Sequence, residues 1–257
     1  KYCNDKLGTP EAPRFNIAVT KALGTSEQEL QNKWGIYIKG KLEHGFESAT
    51  SLQAFNEIKT PGTNLDLFAI SPDSRALFWR QVDPLTGGAS LWLGLTEDAK
   101  NKVEVTHDRQ SNTVSLYFLQ VPSIAISNRS IAFLASTMQG PELELRTYGI
   151  RENQEVEVGA GGRIKLHEYG LIQAHSPTFS SDEKRIAFVG INSKGWQNIY
   201  VLDSSPRTER PTLRQLTHGA FSWKNLCWTE KGILLSTDQN SASGLYGIQL
   251  LDPVSGK

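Results

Sequence analysis

Apolar and polar residues alternate with a period of two along most of the chain, and this pattern predicts β-strands. Stretches with the helical period of 3.6 are rare, and the clearest of them, residues 25–32, predicts one short helix or turn. The 22 glycines and 11 prolines separate the apolar segments in the manner of turns. The sequence therefore predicts an all-β fold.

A repeat of roughly fifty residues runs through the chain. Each unit has a short strand, a polar turn and an apolar strand, and the turns begin at Ser71, Ser127, Ser180 and Thr229. A third strand follows in every unit, and a fourth strand follows in three of them. Four short antiparallel strands per repeat predict a β-propeller, whose blades are four-stranded sheets arranged around an axis.

The length of the chain corresponds to about five blades. The predicted organisation is an N-terminal tail (1–12), a degenerate N-terminal blade (13–61) and a repeat region (62–257) with blades at about 62–108, 121–167, 174–219 and 224–257. The degenerate blade contains predicted strands at 15–19, 34–38 and 52–55. Because the last unit stops where its fourth strand is expected, we expect a truncated propeller of six or more blades in the parent protein. The total number of blades stays open.

The repeat resembles that of TolB-like β-propeller proteins. The runs that carry this resemblance are Ser71-Pro72-Asp73-Ser74, Ser180 to Val189, Asn198 to Asp203 and Arg214 to Gly219. They match the family pattern Phe-Ser-Pro-Asp-Gly-Lys-x-Ile-Ala-Phe, then Ile-Tyr-Val-Met-Asp, then Arg-x-Leu-Thr. The pattern is incomplete at 127–130 and 229–232, where Pro-Asp-Gly is missing. The resemblance implies a fold and says little about activity, because many unrelated functions use one fold.

Charge and hydropathy exclude two broad classes. The 27 basic residues balance the 27 acidic ones, which argues against a general nucleic-acid binder, although a local basic patch stays open. The most apolar stretch, residues 116–126, is too short to cross a membrane as a helix. Cys227 lies in an apolar strand and is expected to be a buried free thiol, while a disulfide between Cys3 and Cys227 is left open.

The sequence shows no catalytic motif. Gly-x-Ser-x-Gly in a strand-to-helix context, His-Glu-x-x-His and the P-loop are all missing, and the glycine-rich run 159–162 is interpreted as a loop. His107, His167 and His218 occupy equivalent positions after outer strands, but outer strands lie on the order of 20 Å from the propeller axis. They are too far apart to share a metal ion. We therefore expect no enzymatic activity, no cofactor and no metal site.

Three residues are candidates for contact with a partner. Trp196 lies in the predicted hairpin loop between the second and third strands of its blade, and Trp223 lies in a loop that leads to an inner strand. Aromatic side chains dominate the energetics of protein interfaces, although packing within the fold is the alternative for both. His175 lies near an inner strand, where it faces the central channel or belongs to a solvated loop.

The expected function is a non-catalytic binding or scaffold module for a protein or peptide, since rigid blades hold variable loops on one face. The resemblance implies a bacterial, periplasmic or otherwise extracytoplasmic setting. One alternative is the propeller gate of a larger hydrolase or lyase, and another is the sensory domain of a membrane-anchored CadC-type regulator. Neither nucleic-acid contact nor membrane insertion is expected of this domain. The partner and the binding face stay open.

Overall fold

The computed structural model describes residues 24–43, 65–83, 88–98, 100–108, 115–116, 122–203, 211–239 and 245–256. The chain divides into two compact units, residues 1–57 and residues 58–257, which are taken separately here.

The described part of the first unit is one helix, α1 (Glu27–Glu43). It begins because the Ser26 hydroxyl accepts a hydrogen bond from the backbone N–H of Glu29 over 3.2 Å, the arrangement that caps a helix N-terminus. Glu29 also forms an ion pair of 2.8 Å with Lys33 one turn later. The helix predicted within residues 25–32 is confirmed, and it extends further than expected.

The strand predicted at residues 34–38 is wrong, because α1 continues through this segment. The alternation of aromatic and β-branched residues there favours a strand locally, but the capped first turn propagates as a helix. Its apolar side chains are largely exposed, including Trp34 and Ile36. The other two strands of the predicted N-terminal blade, at 15–19 and 52–55, lie outside the described residues.

The second unit is built from antiparallel sheets that follow each other along the chain. Blade 1 comprises β1 (Leu65–Ile70), β2 (Ala76–Val82), β3 (Ala89–Leu95) and β4 (Lys102–His107). Blade 2 comprises β5 (Ser115–Leu116), β6 (Ile124–Ile126), β7 (Ser130–Thr137), β8 (Gly140–Ile150) and β9 (Val156–Lys165). Blade 3 comprises β10 (Leu171–Phe179), β11 (Arg185–Asn192), β12 (Gln197–Asp203) and β13 (Arg214–Gln215). Blade 4 comprises β14 (Trp223–Thr229), β15 (Gly232–Thr237) and β16 (Gly247–Leu251).

Strand order within the blades is that of a propeller. Neighbouring strands along the chain pair in blades 1, 3 and 4, and in blade 2 both β5 and β6 pair with β7. The strands β1, β6, β10 and β14, called the inner strands below, contact each other in that order. The all-β propeller architecture predicted from the repeat is therefore confirmed for residues 65–256.

The predicted number of about five blades is slightly too high, because the described residues form four sheets. The extra blade in that number depended on strands predicted at 15–19, 34–38 and 52–55, of which the second is helical and the other two lie outside the described residues. Blade 4 has three strands among the described residues, in agreement with the missing fourth strand in its repeat.

Apolar side chains fill the space between consecutive blades. One cluster joins blades 1 and 2 around Phe78 and Phe133, and the second joins blades 2 and 3 around Leu143 and Phe188. The third, between blades 3 and 4, includes Trp223. The second strands of blades 1, 2 and 3 (β2, β7 and β11 respectively, counting β6 as the first strand of blade 2) are buried on both faces over most of their length, which explains the continuous apolar runs in the sequence.

The glycine-rich run 159–162 belongs to β9 and is not a loop as expected. An ideal Cβ on Gly161 would lie 2.0 Å from the carbonyl oxygen of Leu145, and one on Gly159 would lie 2.5 Å from the hydroxyl of Thr147. The register of β8 and β9 shifts between Arg146 and Tyr148. The glycines therefore allow a close approach of the two backbones at a bulge.

Within the described ranges, no helix combines the length and the apolar character that a membrane crossing requires.

Candidate functional site

The inner strands surround a cavity of about 580 Å³ at the ends where they run into their turns. Its wall contains the last residues of each inner strand, among them Phe68, Ile70, Ile126, Thr178, Cys227 and Trp228. All four blades therefore contribute to one concave surface, the central cavity.

Serine and aspartate side chains shape the turns at the edge of this cavity. In blade 1 the Ser71 hydroxyl donates a hydrogen bond of 2.6 Å to the Asp73 carboxylate and accepts one from the N–H of Ala76. In blade 3, Ser180 and Asp182 make the same contact. The hydroxyl of Ser71 lowers the pKa of Asp73, so this carboxylate is ionised at neutral pH. The Ser-x-Asp spacing in the sequence thus sets the turn geometry.

Asn128 connects three of these turns. Its side-chain oxygen accepts a hydrogen bond of 3.0 Å from the backbone N–H of Asp73 in blade 1. Its own N–H donates a bond of 3.0 Å to the Glu183 carboxylate in blade 3. The sequence departs from the repeat pattern at this turn of blade 2. Asn128, one of the residues that differ from the pattern, connects it to the corresponding turns of blades 1 and 3.

The inner strands are also joined near their other ends. The N–H of Ser176 donates to the carbonyl oxygen of Pro122, and the Ser176 hydroxyl accepts a bond of 3.2 Å from the N–H of Asn225. Ser176 and Asn225 have φ values of 53° and 54°, and both lie within bulges of their strands. These bulges turn polar groups of one inner strand toward the next, so hydrogen bonds as well as packing connect neighbouring inner strands.

The wall is mainly apolar and partly open to solvent. Phe68 is 63% exposed and Ile70 is 43% exposed, although both belong to a strand of the sheet. Cys227, expected to be buried, is a free and exposed thiol on the same wall. Its neighbour Leu226 is buried, and side chains alternate along β14, so Cys227 lies on the side of the strand that the described residues leave exposed.

Charge at the cavity is acidic. Glu183 and Glu230 line it, and among the described residues that line it none is basic. The nearby Arg185 guanidinium lies 5.1 Å from the centre of the Trp228 ring, where a cation–π contact holds it. The described wall therefore offers apolar surface together with carboxylates.

His175 lies on β10, the inner strand of blade 3, and is 4% exposed. Its Nδ1 is 3.1 Å from the Ser176 hydroxyl. Burial, with a smaller contribution from the charge of Lys224, lowers the pKa of His175 to about 4. The imidazole is therefore neutral at physiological pH and packs between inner strands, outside the set of cavity-lining residues.

The two candidate tryptophans differ in environment. Trp223 is the first residue of β14 and is 1% exposed, and its indole N–H donates a bond of 3.1 Å to the carbonyl oxygen of Gln197. Trp196 lies in the hairpin between β11 and β12, as predicted, and is 45% exposed with the Lys194 ammonium 5.4 Å from its ring. Neither residue lines the central cavity.

Sequence reasoning missed Phe68, Ile70 and Cys227 as candidates for the site. The available signal was the position of these residues one to three places before the turns that begin at Ser71 and Thr229. Their exposure depends on the arrangement of four strands that are distant in sequence, so the alternation pattern alone does not reveal it.

The part of the chain that the structure describes has no group of three or more His, Cys, Asp or Glu side chains placed to bind a metal ion.

No family model and no curated protein matches this chain. Similar solved structures include TolB from Acinetobacter baumannii, with 16% identity, a TM-score of 0.49, and coverage of 76% of this chain and 42% of that one. The β-propeller domain of the Trilobed protease from Pyrococcus furiosus has 13% identity, a TM-score of 0.42, and coverage of 74% and 56%. Prolyl oligopeptidase B from Galerina marginata has 9% identity, a TM-score of 0.47, and coverage of 74% and 27%.

The chain spans less than half the length of the Acinetobacter protein and about a quarter of the oligopeptidase. Within each sheet the strands pair largely in chain order, and the inner strands of consecutive sheets contact each other, as in a propeller. The described residues of 65–256 therefore have the β-propeller fold that the repeat predicts, and TolB proteins are among the structures to which the chain is similar.

Proposed function

We propose that this chain is a non-catalytic binding module that holds a protein or peptide partner in the central cavity. The observation that carries the proposal is the convergence of four inner strands on one concave surface with exposed apolar side chains, Phe68 and Ile70 foremost. Concave apolar surfaces with a few polar groups are the usual form of binding sites. Hydrogen bonds between neighbouring turns keep this surface rigid, so binding needs little reorganisation.

The chemistry of the wall selects the partner. Exposed apolar side chains favour an apolar or aromatic residue of the partner, and Glu183 and Glu230 favour a cationic group beside it. A short segment with an aliphatic or aromatic residue next to lysine or arginine satisfies both requirements. The resemblance to TolB-like propellers supports an extracytoplasmic setting as part of the same proposal.

The test uses a library of random peptides displayed on phage and selected on the full chain, followed by affinity measurement with the selected synthetic peptides. We expect enrichment of apolar residues next to Lys or Arg. The substitution Phe68→Ser is expected to weaken peptide binding at least about tenfold. Truncation of a side chain at the centre of a binding interface commonly has an effect of this size. Met138→Ser is the matched control, because Met138 is 93% exposed and lies outside the central cavity.

Two further variants decide between surfaces. Glu230→Gln is expected to weaken the selected peptides and to reduce the dependence of their affinity on salt. Binding that survives Phe68→Ser and is lost in Trp196→Ala would move the site to the β11–β12 hairpin and contradict the proposal. No enrichment on the wild-type chain would also count against it.

A further inference from the structure

Two residues of β1 turn their backbone N–H and C=O groups away from β2. In an antiparallel pair, residues that bond the partner strand through both groups alternate with residues whose groups point away from it. The N–H of Ser71 donates to the carbonyl oxygen of Ala76 over 2.9 Å, and Ala69 takes the equivalent place two residues earlier in the same register. Phe68 and Ile70, on either side of Ala69, therefore direct their N–H and C=O groups to the opposite edge of the strand.

This opposite edge, called the β1 edge below, belongs to the wall of the central cavity. The other inner strands are hydrogen-bonded to each other near the cavity. The N–H of Trp228 on β14 donates to the Thr178 hydroxyl on β10 over 3.1 Å, and Ser176 of β10 bonds the segment that precedes β6. Among the described contacts, β1 makes no hydrogen bond to another inner strand, so the backbone groups of the β1 edge are available for pairing.

The packing of a further blade against blade 1 would leave the β1 edge open. Consecutive blades pack through side chains on the faces of their sheets, as Leu67 and Ala69 of β1 do in the cluster between blades 1 and 2. The N–H and C=O groups of Phe68 and Ile70 instead lie in the plane of the sheet and point toward the cavity. A strand edge with such groups is a template for one more strand.

We propose that the peptide partner binds as an added strand on the β1 edge, hydrogen-bonded to the backbone of Phe68 and Ile70; this inference rests on the proposed binding function and specifies its mode. The side chains of an added strand alternate between the two faces of blade 1. One set lies beside the exposed side chains of Phe68 and Ile70, and the other set faces blades 2 and 3, where Glu183 lines the cavity. The partner is therefore an extended segment with apolar residues at every second position and Lys or Arg between them.

Methylation of single backbone nitrogens in the tightest peptide from the phage selection tests this mode of binding. Each N-methyl group removes one N–H donor, and calorimetric titration of the wild-type chain measures the affinity. We expect losses of at least about tenfold at every second position and less than about twofold between them, because alternate N–H groups of a strand face the β1 edge. Losses without this alternation would overturn the added strand and leave the proposed binding function standing. A selection that enriches no peptide would contradict both.

A pair of variants tests the same hydrogen bonds from the side of the chain. Ile70→Pro removes an N–H that bonds no strand of blade 1, a position at which a sheet tolerates proline, and Ile70→Ala is the matched control that loses the same side chain and keeps the N–H. We expect Ile70→Pro to bind the selected peptide at least about tenfold more weakly than Ile70→Ala. Equal affinities in two variants with the same circular dichroism spectrum would overturn the inference. The N-methyl series on the wild-type chain decides the question if Ile70→Pro does not fold.

Discussion

The side-chain oxygen of Asn128 accepts a hydrogen bond from the backbone N–H of Asp73, 55 residues earlier, over 3.0 Å. The two residues occupy the corresponding turns of blades 1 and 2, so the bond joins two blades that also share an apolar cluster. It gives a polar link at the edge of the central cavity, where a rigid wall matters for the proposed binding.

Removing this acceptor is expected to loosen one specific amide. Asn128→Ala should lower the free energy of unfolding by about 1 kcal/mol, the usual contribution of one hydrogen bond. It should also increase the rate of hydrogen exchange at the Asp73 amide, which can be measured by NMR. Asn153→Ala is the control, because Asn153 accepts a bond only from Glu155 within its own hairpin turn among the contacts described. Unchanged exchange at Asp73 would show that the bond is not formed in solution.

His175 makes stability depend on pH. Its pKa is lowered to about 4 in the folded chain against about 6.5 in an unfolded one, so the unfolded state binds the proton more readily. The stability that the folded chain has with neutral His175 is fully present above pH 6.5 and is lost as the pH falls toward 4. We expect a loss of about 2 kcal/mol between pH 7 and pH 5, measured by urea unfolding.

One variant separates this effect from other titrations. His175→Gln should flatten the dependence between pH 7 and pH 5, because glutamine does not take up a proton in this range. Equal slopes in the wild-type chain and His175→Gln would mean that other groups cause the pH dependence.

We expect the fold to require glycine at positions of β9 where a side chain would collide with β8. Gly161→Ala should destabilise the chain by about 1–3 kcal/mol, because the new Cβ would lie 2.0 Å from a backbone oxygen that can move only with its strand. Gly149→Ala in the neighbouring strand is the matched control, since its Cβ would meet atoms of Glu157 at 3.7 Å or more. Thermal unfolding of both variants measures the difference, and similar Tm values would contradict the close approach.

The two candidate tryptophans should respond differently to truncation. Trp223→Ala is expected to lower the free energy of unfolding by about 3–5 kcal/mol, because it leaves a large cavity between blades 3 and 4. Trp196→Ala should stay within about 0.5 kcal/mol of the wild type, as expected for a largely solvent-facing side chain. Denaturant titration checks both values. A mild effect of Trp223→Ala would be incompatible with its buried position.

The sequence predicts the repeated sheets well, because alternation and turn residues are local signals. Ser71 and Asp73, for example, form their turn through contacts between residues two apart. The helix α1 was predicted only in part, since Trp34 and Ile36 have side chains that favour strands and the helix is decided by the cap at Ser26.

The site could be predicted less well, for a physical reason. Trp223 follows a glycine-containing turn, and the sequence predicts a loop there, yet the residue begins β14 and is buried against Gln197 and the blade 3 sheet. The exposure of Phe68 likewise depends on where the other inner strands lie. Contacts between residues that are distant in sequence form only in the assembled fold, so the local sequence pattern does not predict them.

The apolar clusters of this fold each join one blade to the next, as between blades 2 and 3 around Leu143 and Phe188. The blades therefore form a one-dimensional array in which stability is close to a sum of neighbouring terms. Blades 2 and 3 each share apolar clusters with two described neighbours, whereas blades 1 and 4 each share a cluster with one. Blades 2 and 3 should accordingly be the last of the four to unfold on heating.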